Sequence, residues 1–457
     1  MNPDFSPSLA ASKFASELRF EDIPGPVVDF VKKDLLDWIG CAIGGSASPA
    51  SQPIKAVSEM LGGNKQSEII GMESNNVVQA ASCNAYFGHI LEMDDVDKDS
   101  ISHPATVVMP ASLAVASWNG SNGKSVLTSI TAGFEVMLRI GATITPNHYK
   151  VFHTTSTTGI FGAAIAAGKI LELEEKKLTW ALGNAGTLSS GLWQFLQDGA
   201  MSKFLHTAHA AGNGVYVALL AKEGFSGSNH ILEGTQGFFE GYARQEVTDE
   251  KFRDFFKVWR TGNVSFKPYP CCRHTHSAID AALDLREKLK GRKLSSIKLF
   301  SYSTAQQVAG KRSPKNSREA KFSTAYCVAS SILRGTPSEK DFSNESVSEQ
   351  KVRELENLIE IVVDEDLNKV VPVNWPHRIE AVTEDGEKLT SQVWSPKGDP
   401  ENGLSWEDVE TKFRTLTDGY ITTKTQDKVI EICKNFESQE NVAELFEEIN
   451  LSFQTSY

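Results

Sequence analysis

Apolar residues recur at four-residue steps over residues 30–43, where Val31, Leu35, Ile39 and Ile43 line one face and Leu36, Trp38 and Cys41 widen it. That period is the one an α-helix needs to bury a single side. The small residues 44–49 then predict a loop, a second helix runs to about Met60, and Gly62-Gly63-Asn64 ends it. From Val77 to Gly224 the polar face all but disappears: residues 159–168 read GIFGAAIAAG and residues 207–215 read TAHAAGNGV. A helix that is small and apolar on most sides belongs inside a bundle, where its backbone can approach its neighbours closely. Residues 104–118 form the richest apolar run and predict one more buried helix.

Around residue 262 the pattern changes. Residues 298–303 alternate weakly after a helix at 278–289, and residues 359–364 read as a further strand. Residues 378–390 predict a hairpin that turns at Asp385-Gly386. Residues 395–403, SPKGDPENG, are turn formers and predict a linker. Ser405-Trp-Glu-Asp408 has the spacing of a capping box and opens a helical tail to about Ile449. The expected organisation is a helical domain, 1–262, completed by 397–457, with an α+β lid domain, 263–396, inserted between them.

Composition narrows the function. The chain has 457 residues, 40% of them apolar, and 46 basic against 58 acidic side chains, a net charge of −12. An acidic balance disfavours nucleic acid as a partner, because a phosphate footprint needs a basic excess. No run of about 18 apolar residues predicts a membrane span, and the N-terminus lacks a targeting pattern. Six cysteines without a C-x-x-C predict reduced thiols in a cytoplasmic protein and no zinc ribbon.

Four segments carry candidate chemistry. The first runs from Glu92 through Asp94, Asp95, Asp97 and Asp99 to His103-Pro104, just before the 104–118 helix. It reads as a cation site or as a solvated acidic loop, although its spacing matches neither an EF-hand nor H-E-x-x-H. His103-Pro104 is placed to cap the next helix. His153 precedes five Ser/Thr hydroxyls at the start of a Gly/Ala helix, a pattern suited to an anionic ligand. Lys203 stands among small and apolar residues beside His206 and His209, which share a helix face, and a desolvated lysine there can serve proton transfer. The fourth segment, Lys267-Pro-Tyr-Pro-Cys-Cys272-Arg-His-Thr-His276, is stiffened by two prolines.

Together these segments resemble the MmgE/PrpD family. The likeness rests on His89-x-x-Glu92-Met-Asp94-Asp95 through His103-Pro104, Phe152-His153, Met201-Ser-Lys203-x-x-His206, Lys267-x-Tyr-Pro-Cys-Cys and Ala320-Lys-Phe-Ser-x-x-Tyr326. The family includes 2-methylcitrate dehydratases, cis-aconitate decarboxylases and an iminodisuccinate epimerase. The resemblance implies a mainly α fold, with a large all-helical domain, a smaller α+β lid and an active site in the cleft between them. It implies catalytic roles for His103, His153, Lys203, Lys267 and Asp94, and substrate contacts from Glu92, Cys272, His276 and Tyr326; Glu92 and Asp94 both remain candidates for the acidic position. It further implies a cofactor-independent lyase without a metal, a small anionic di- or tricarboxylate substrate, and a homodimer. An epimerase and a non-catalytic carboxylate binder are the alternatives.

Overall fold

The computed structural model describes residues 4–454, which divide into two compact units. One is helical and takes the chain up to Ile90, then Asp94–Val264, and again from Ser405 onward. The other comprises Leu91–Met93 and Ser265–Leu404. The sequence expectation set its boundaries at 262 and 397 and did not anticipate that three residues ahead of Asp94 group with the second unit.

In the helical unit, α1 (Gly25–Ala47), α2 (Val77–Ile90), α3 (Ala105–Asn119), α4 (Gly123–Ile144), α5 (Thr154–Ile170) and α6 (Ser202–Lys222) form the core. Helix α5 packs against α3, α4 and α6, and α2 packs against α1, α3 and α6. The predicted loop at 44–49 is corrected here: α1 continues through Gly44-Gly45-Ser46 to Ala47. A Cβ on Gly45 would lie 1.9 Å from the Phe87 carbonyl oxygen, so this glycine marks where α1 crosses α2, not where α1 stops. Helix α4 is long and apolar enough to span a bilayer, yet 94% of its apolar window is buried within the protein. The tail helix Trp406–Thr417 opens with the Ser405/Asp408 capping box and lies on α1, with Phe413 against Gly40.

The second unit packs α7 (His276–Leu289) on a four-stranded sheet. Its strands are β1 (Leu294–Ser301), β2 (Ile359–Val363), β3 (His377–Thr383) and β4 (Lys388–Val393), in the order β2-β1-β3-β4. β1 pairs parallel with β2 and antiparallel with β3, and β3–β4 is the predicted hairpin, with Gly386 at φ 88° in its turn. Ile279, Leu285, Leu299, Val328 and Ile379 belong to the apolar core of this unit. The helical unit and this small mixed sheet match the expected mainly α class.

Candidate active site

The helical unit gathers four histidines at its helix ends. His89 closes α2, His153 immediately precedes α5, His206 lies in the first turns of α6, and His103 lies two positions ahead of α3, with Pro104 between. The His89 ring centroid is 4.9 Å from that of His103 and 5.9 Å from that of His153, and His153 is 5.4 Å from His206. His89 Nδ1 lies 2.6 Å from Asp94 Oδ2, and His103 Nδ1 donates to the Asp95 carbonyl at 2.5 Å, with Asp94 Oδ2 3.5 Å away. His153 Nδ1 and His206 Nδ1 are 3.2 Å apart.

Local hydrogen bonds correct two sequence readings. The carboxylate of Asp95, not His103, caps α3 by accepting the Ala105 N–H at 3.0 and 3.1 Å. The hydroxyls after His153 are mostly engaged within the protein. Thr155 accepts from the His103 N–H, Ser156 donates to the His206 carbonyl, Thr158 donates to the Thr154 carbonyl, and Thr157 bonds to His148 Nε2. Only Thr154 Oγ1 of the five is without a partner among the described residues. The acidic segment is not solvated: Asp94, Asp95 and Asp97 are buried.

Burial sets the electrostatics. It holds His153 well below its ordinary range, aided by the charges of His206, Lys203, His89 and His103. It also lowers His206 to about 4, so this pair is neutral near pH 7. Lys203, in the first turn of α6, is 6% exposed and supplies positive charge beside these neutral rings. Burial and the neighbouring Asp34 and Asp94 push Asp95 well above the carboxylate range, and the Ala105 N–H opposes them. A pocket of about 540 Å³ opens beside His206 and is lined also by Leu192, Phe195, Leu205 and His209.

In the second unit, Lys267 is completely buried and its Nζ lies 3.5 Å from Glu92 Oε2. Glu92 has φ 60°, a left-handed conformation that a residue with a Cβ holds only when its surroundings enforce it. Lys321 contributes to that enforcement, donating to the Leu91 carbonyl at 2.9 Å and pairing with Glu339. The predicted linker at 395–403 is in fact a clamp on the Lys267 loop. The Gly398 carbonyl accepts the Phe266 N–H at 2.9 Å, Asp399 accepts the Ser265 hydroxyl and pairs with Arg273, and Arg273 also donates to the Lys397 carbonyl. The loop is thereby held at both ends. The remaining expected residues are bonded within the same unit. His276 accepts from Arg273 at Nδ1 and faces the Cys271 carbonyl at Nε2. The Cys272 N–H donates to the Lys321 carbonyl. Tyr326 donates its hydroxyl to the Asp341 carbonyl, and burial raises it to about 12.

The structure therefore brings His103, His153, Lys203 and Asp94 together in one unit, and Lys267 and Glu92 together in the other. It adds His89, His206 and Lys321, which stood in the quoted motifs without an assigned role. The five-residue interval from His89 to Asp94 was the available signal, but it becomes a contact only because α2 ends between them. Ligand nitrogens of His89, His103 and His153 lie within 4.8 Å of one another, as do ligand atoms of Asp94, Asp95 and His103. That spacing suits a shared cation or shared protons equally well.

A helical unit with a buried histidine–lysine site, joined to a small mixed sheet, defines the class of protein. The chain belongs to the MmgE/PrpD family, matching the MmgE/PrpD N-terminal domain over residues 10–251 and the MmgE/PrpD C-terminal domain over residues 269–438. It is 25% identical to the cis-aconitate decarboxylase-like protein oryM of Aspergillus oryzae, over 97% of each chain. It is 26% identical to the cis-aconitate decarboxylase of Homo sapiens, over 94% of this chain and 91% of that one. A shorter match, 28% identical over 34% of this chain and 31% of the other, is to the mitochondrial 2-methylcitrate dehydratase of Yarrowia lipolytica.

Proposed function

We propose that this chain is a cofactor-independent lyase that cleaves a small tricarboxylate of the cis-aconitate or 2-methylcitrate type through a carbanion beside a carboxylate. The near-full-length likeness to cis-aconitate decarboxylases supports the substrate class. The observation that carries the chemistry is the buried Lys203 beside imidazoles that burial keeps neutral.

Loss of a proton or of CO₂ leaves an electron pair on carbon, and the adjacent carboxylate takes up that charge. A fixed cation in a water-poor site stabilises it more in the transition state than in the ground state. Lys203 is that cation, with His153 as a neutral donor to a substrate carboxylate and His103 as a further group beside it. Lys267 is assigned a second acid or base, its charge balanced at rest by Glu92.

The test is a panel of cis-aconitate, 2-methylcitrate and iminodisuccinate. CO₂ release, or alkene formation followed by ultraviolet absorbance, supports the lyase. Solvent deuterium entering substrate without net product identifies an epimerase instead. A thermal shift without turnover identifies a binder. EDTA should leave the rate intact; full loss restored by a divalent ion refutes the cofactor-independent reading.

A further inference from the structure

We propose that His89 is a further catalytic residue: its Nε2 carries the proton that leaves or returns to the carbon beside the substrate carboxylate. This rests on the function proposed above and deepens it. His89 Nδ1 is 2.6 Å from Asp94 Oδ2, while its Nε2 is buried and has no hydrogen-bond partner among the described residues.

Two buried histidines, His148 and His377, use both nitrogens, whereas His274 resembles His89 in leaving a buried Nε2 without a hydrogen-bond partner among the described residues. His148 bonds to the Tyr242 carbonyl at 2.8 Å and to Thr157 Oγ1 at 2.7 Å. His377 bonds to Ser277 Oγ at 2.7 Å and to Ser301 Oγ at 2.9 Å. His274 is stacked on Trp375 with centroids 4.2 Å apart, whereas His89 pairs an open nitrogen with a carboxylate on the other and with two further imidazoles beside it. Its ring faces those of His103 and His153, so the open nitrogen belongs to the cluster to which the substrate carboxylates are assigned.

A carboxylate that accepts the Nδ1–H fixes the tautomer and leaves the lone pair on Nε2. In the forward step the substrate C–H bond breaks and its electron pair stays on carbon, delocalised into the adjacent carboxylate. The proton forms a new N–H bond at Nε2, and Asp94 offsets the imidazolium charge. In a decarboxylation Nε2 first takes a proton from solvent, giving an imidazolium that Asp94 offsets; the C–C bond then breaks, CO₂ departs, and the electron pair left on carbon takes that proton, which restores the Nδ1–H tautomer. Apart from that solvent proton, no other reactant is required.

The test uses the full chain and whichever panel carboxylate the wild type turns over. His89→Gln should lower kcat by about 10²-fold or more, the scale of a lost acid–base group, with KM within about threefold. Exchange of the substrate hydrogen with solvent deuterium should be lost and the melting temperature kept. Asp94→Asn, which disturbs the tautomer and not the ring, should also depress kcat more than KM, and it serves if His89→Gln does not fold. A kcat within about threefold of wild type, or a loss confined to KM with exchange retained, overturns the role. Nitrogen-15 histidine spectra of the wild type give a reading independent of turnover. The Nδ1–H tautomer of His89 is expected, and an Nε2–H tautomer overturns the proposal even if no panel compound reacts. Absence of turnover across the panel, with the expected tautomer present, counts against the lyase reading and not against His89.

Discussion

Lys412→Met should destabilise the helical unit by about 3–5 kcal/mol at pH 8, the usual cost of stranding one member of a buried ion pair. Lys412 lies on the Trp406–Thr417 helix with its Nζ 2.6 Å from Asp37 Oδ1 on α1, and the side chains are 7% and 1% exposed. At an effective dielectric constant of about 20, charges at that distance attract by roughly 6 kcal/mol, and desolvation offsets part of this. Burial works against the ammonium, but Asp37 and further neighbours outweigh it and raise its affinity for the proton. The same cation restrains Asp34, which burial and Asp37 already push well above the carboxylate range. Without Lys412, Asp34 moves further up. A carboxyl raised in the folded state favours folding below its unfolded value near 4 and loses that contribution as pH rises. The deficit should therefore be smaller at pH 5 than at pH 8. Urea melts of wild type and variant at both pH values measure it, and a second change, Asp37→Leu, should recover at least half of the loss. A deficit below about 1 kcal/mol at pH 8, or one that grows on acidification, refutes the reasoning.

Lys203→Ala and Lys267→Met should each lower kcat by about 10²-fold or more on the productive substrate; near-normal kcat in either removes that lysine from the mechanism. The second unit should be acid-labile. Burial lowers His274 and His377 to about 3, so each disfavours the folded state once the unfolded chain binds protons below its ordinary value near 6.5. Folding should lose about 2 kcal/mol per histidine between pH 7 and pH 5, read from denaturant midpoints, and a flat profile contradicts it. Gly398→Ala should lower kcat about tenfold or more through displacement of Lys267. Gly398 has φ 95°, and its Cβ would lie 2.2 Å from the Phe266 carbonyl oxygen. Unchanged kinetics would return residues 395–403 to the status of a linker.

Much of the candidate site was legible because its residue types are costly where they stand. Lys203 stands among small and apolar residues, and the segment from Glu92 to His103 crowds charges just before an apolar helix; charges so placed need a task or a partner. His89 was harder to read, since a histidine at the end of an apolar helix looks like core until both nitrogens are followed to their partners. Residues 395–403 misled for the same reason: Gly and Pro signal a turn, but they do not say what the turn holds.

Helix and strand type follow from local periodicity, so most elements, the hairpin at Asp385-Gly386 and the capping box at Ser405 could be placed from the chain alone. Gly44-Gly45 could not, because a glycine that ends a helix and one that lets a second helix pass are identical in one dimension. Nor could the partners of His89, Lys267 and Lys412, which lie 5, 175 and 375 residues away. Periodicity reports which face of an element is buried; which charge meets which is set by packing between distant segments, and that packing decides who holds a proton.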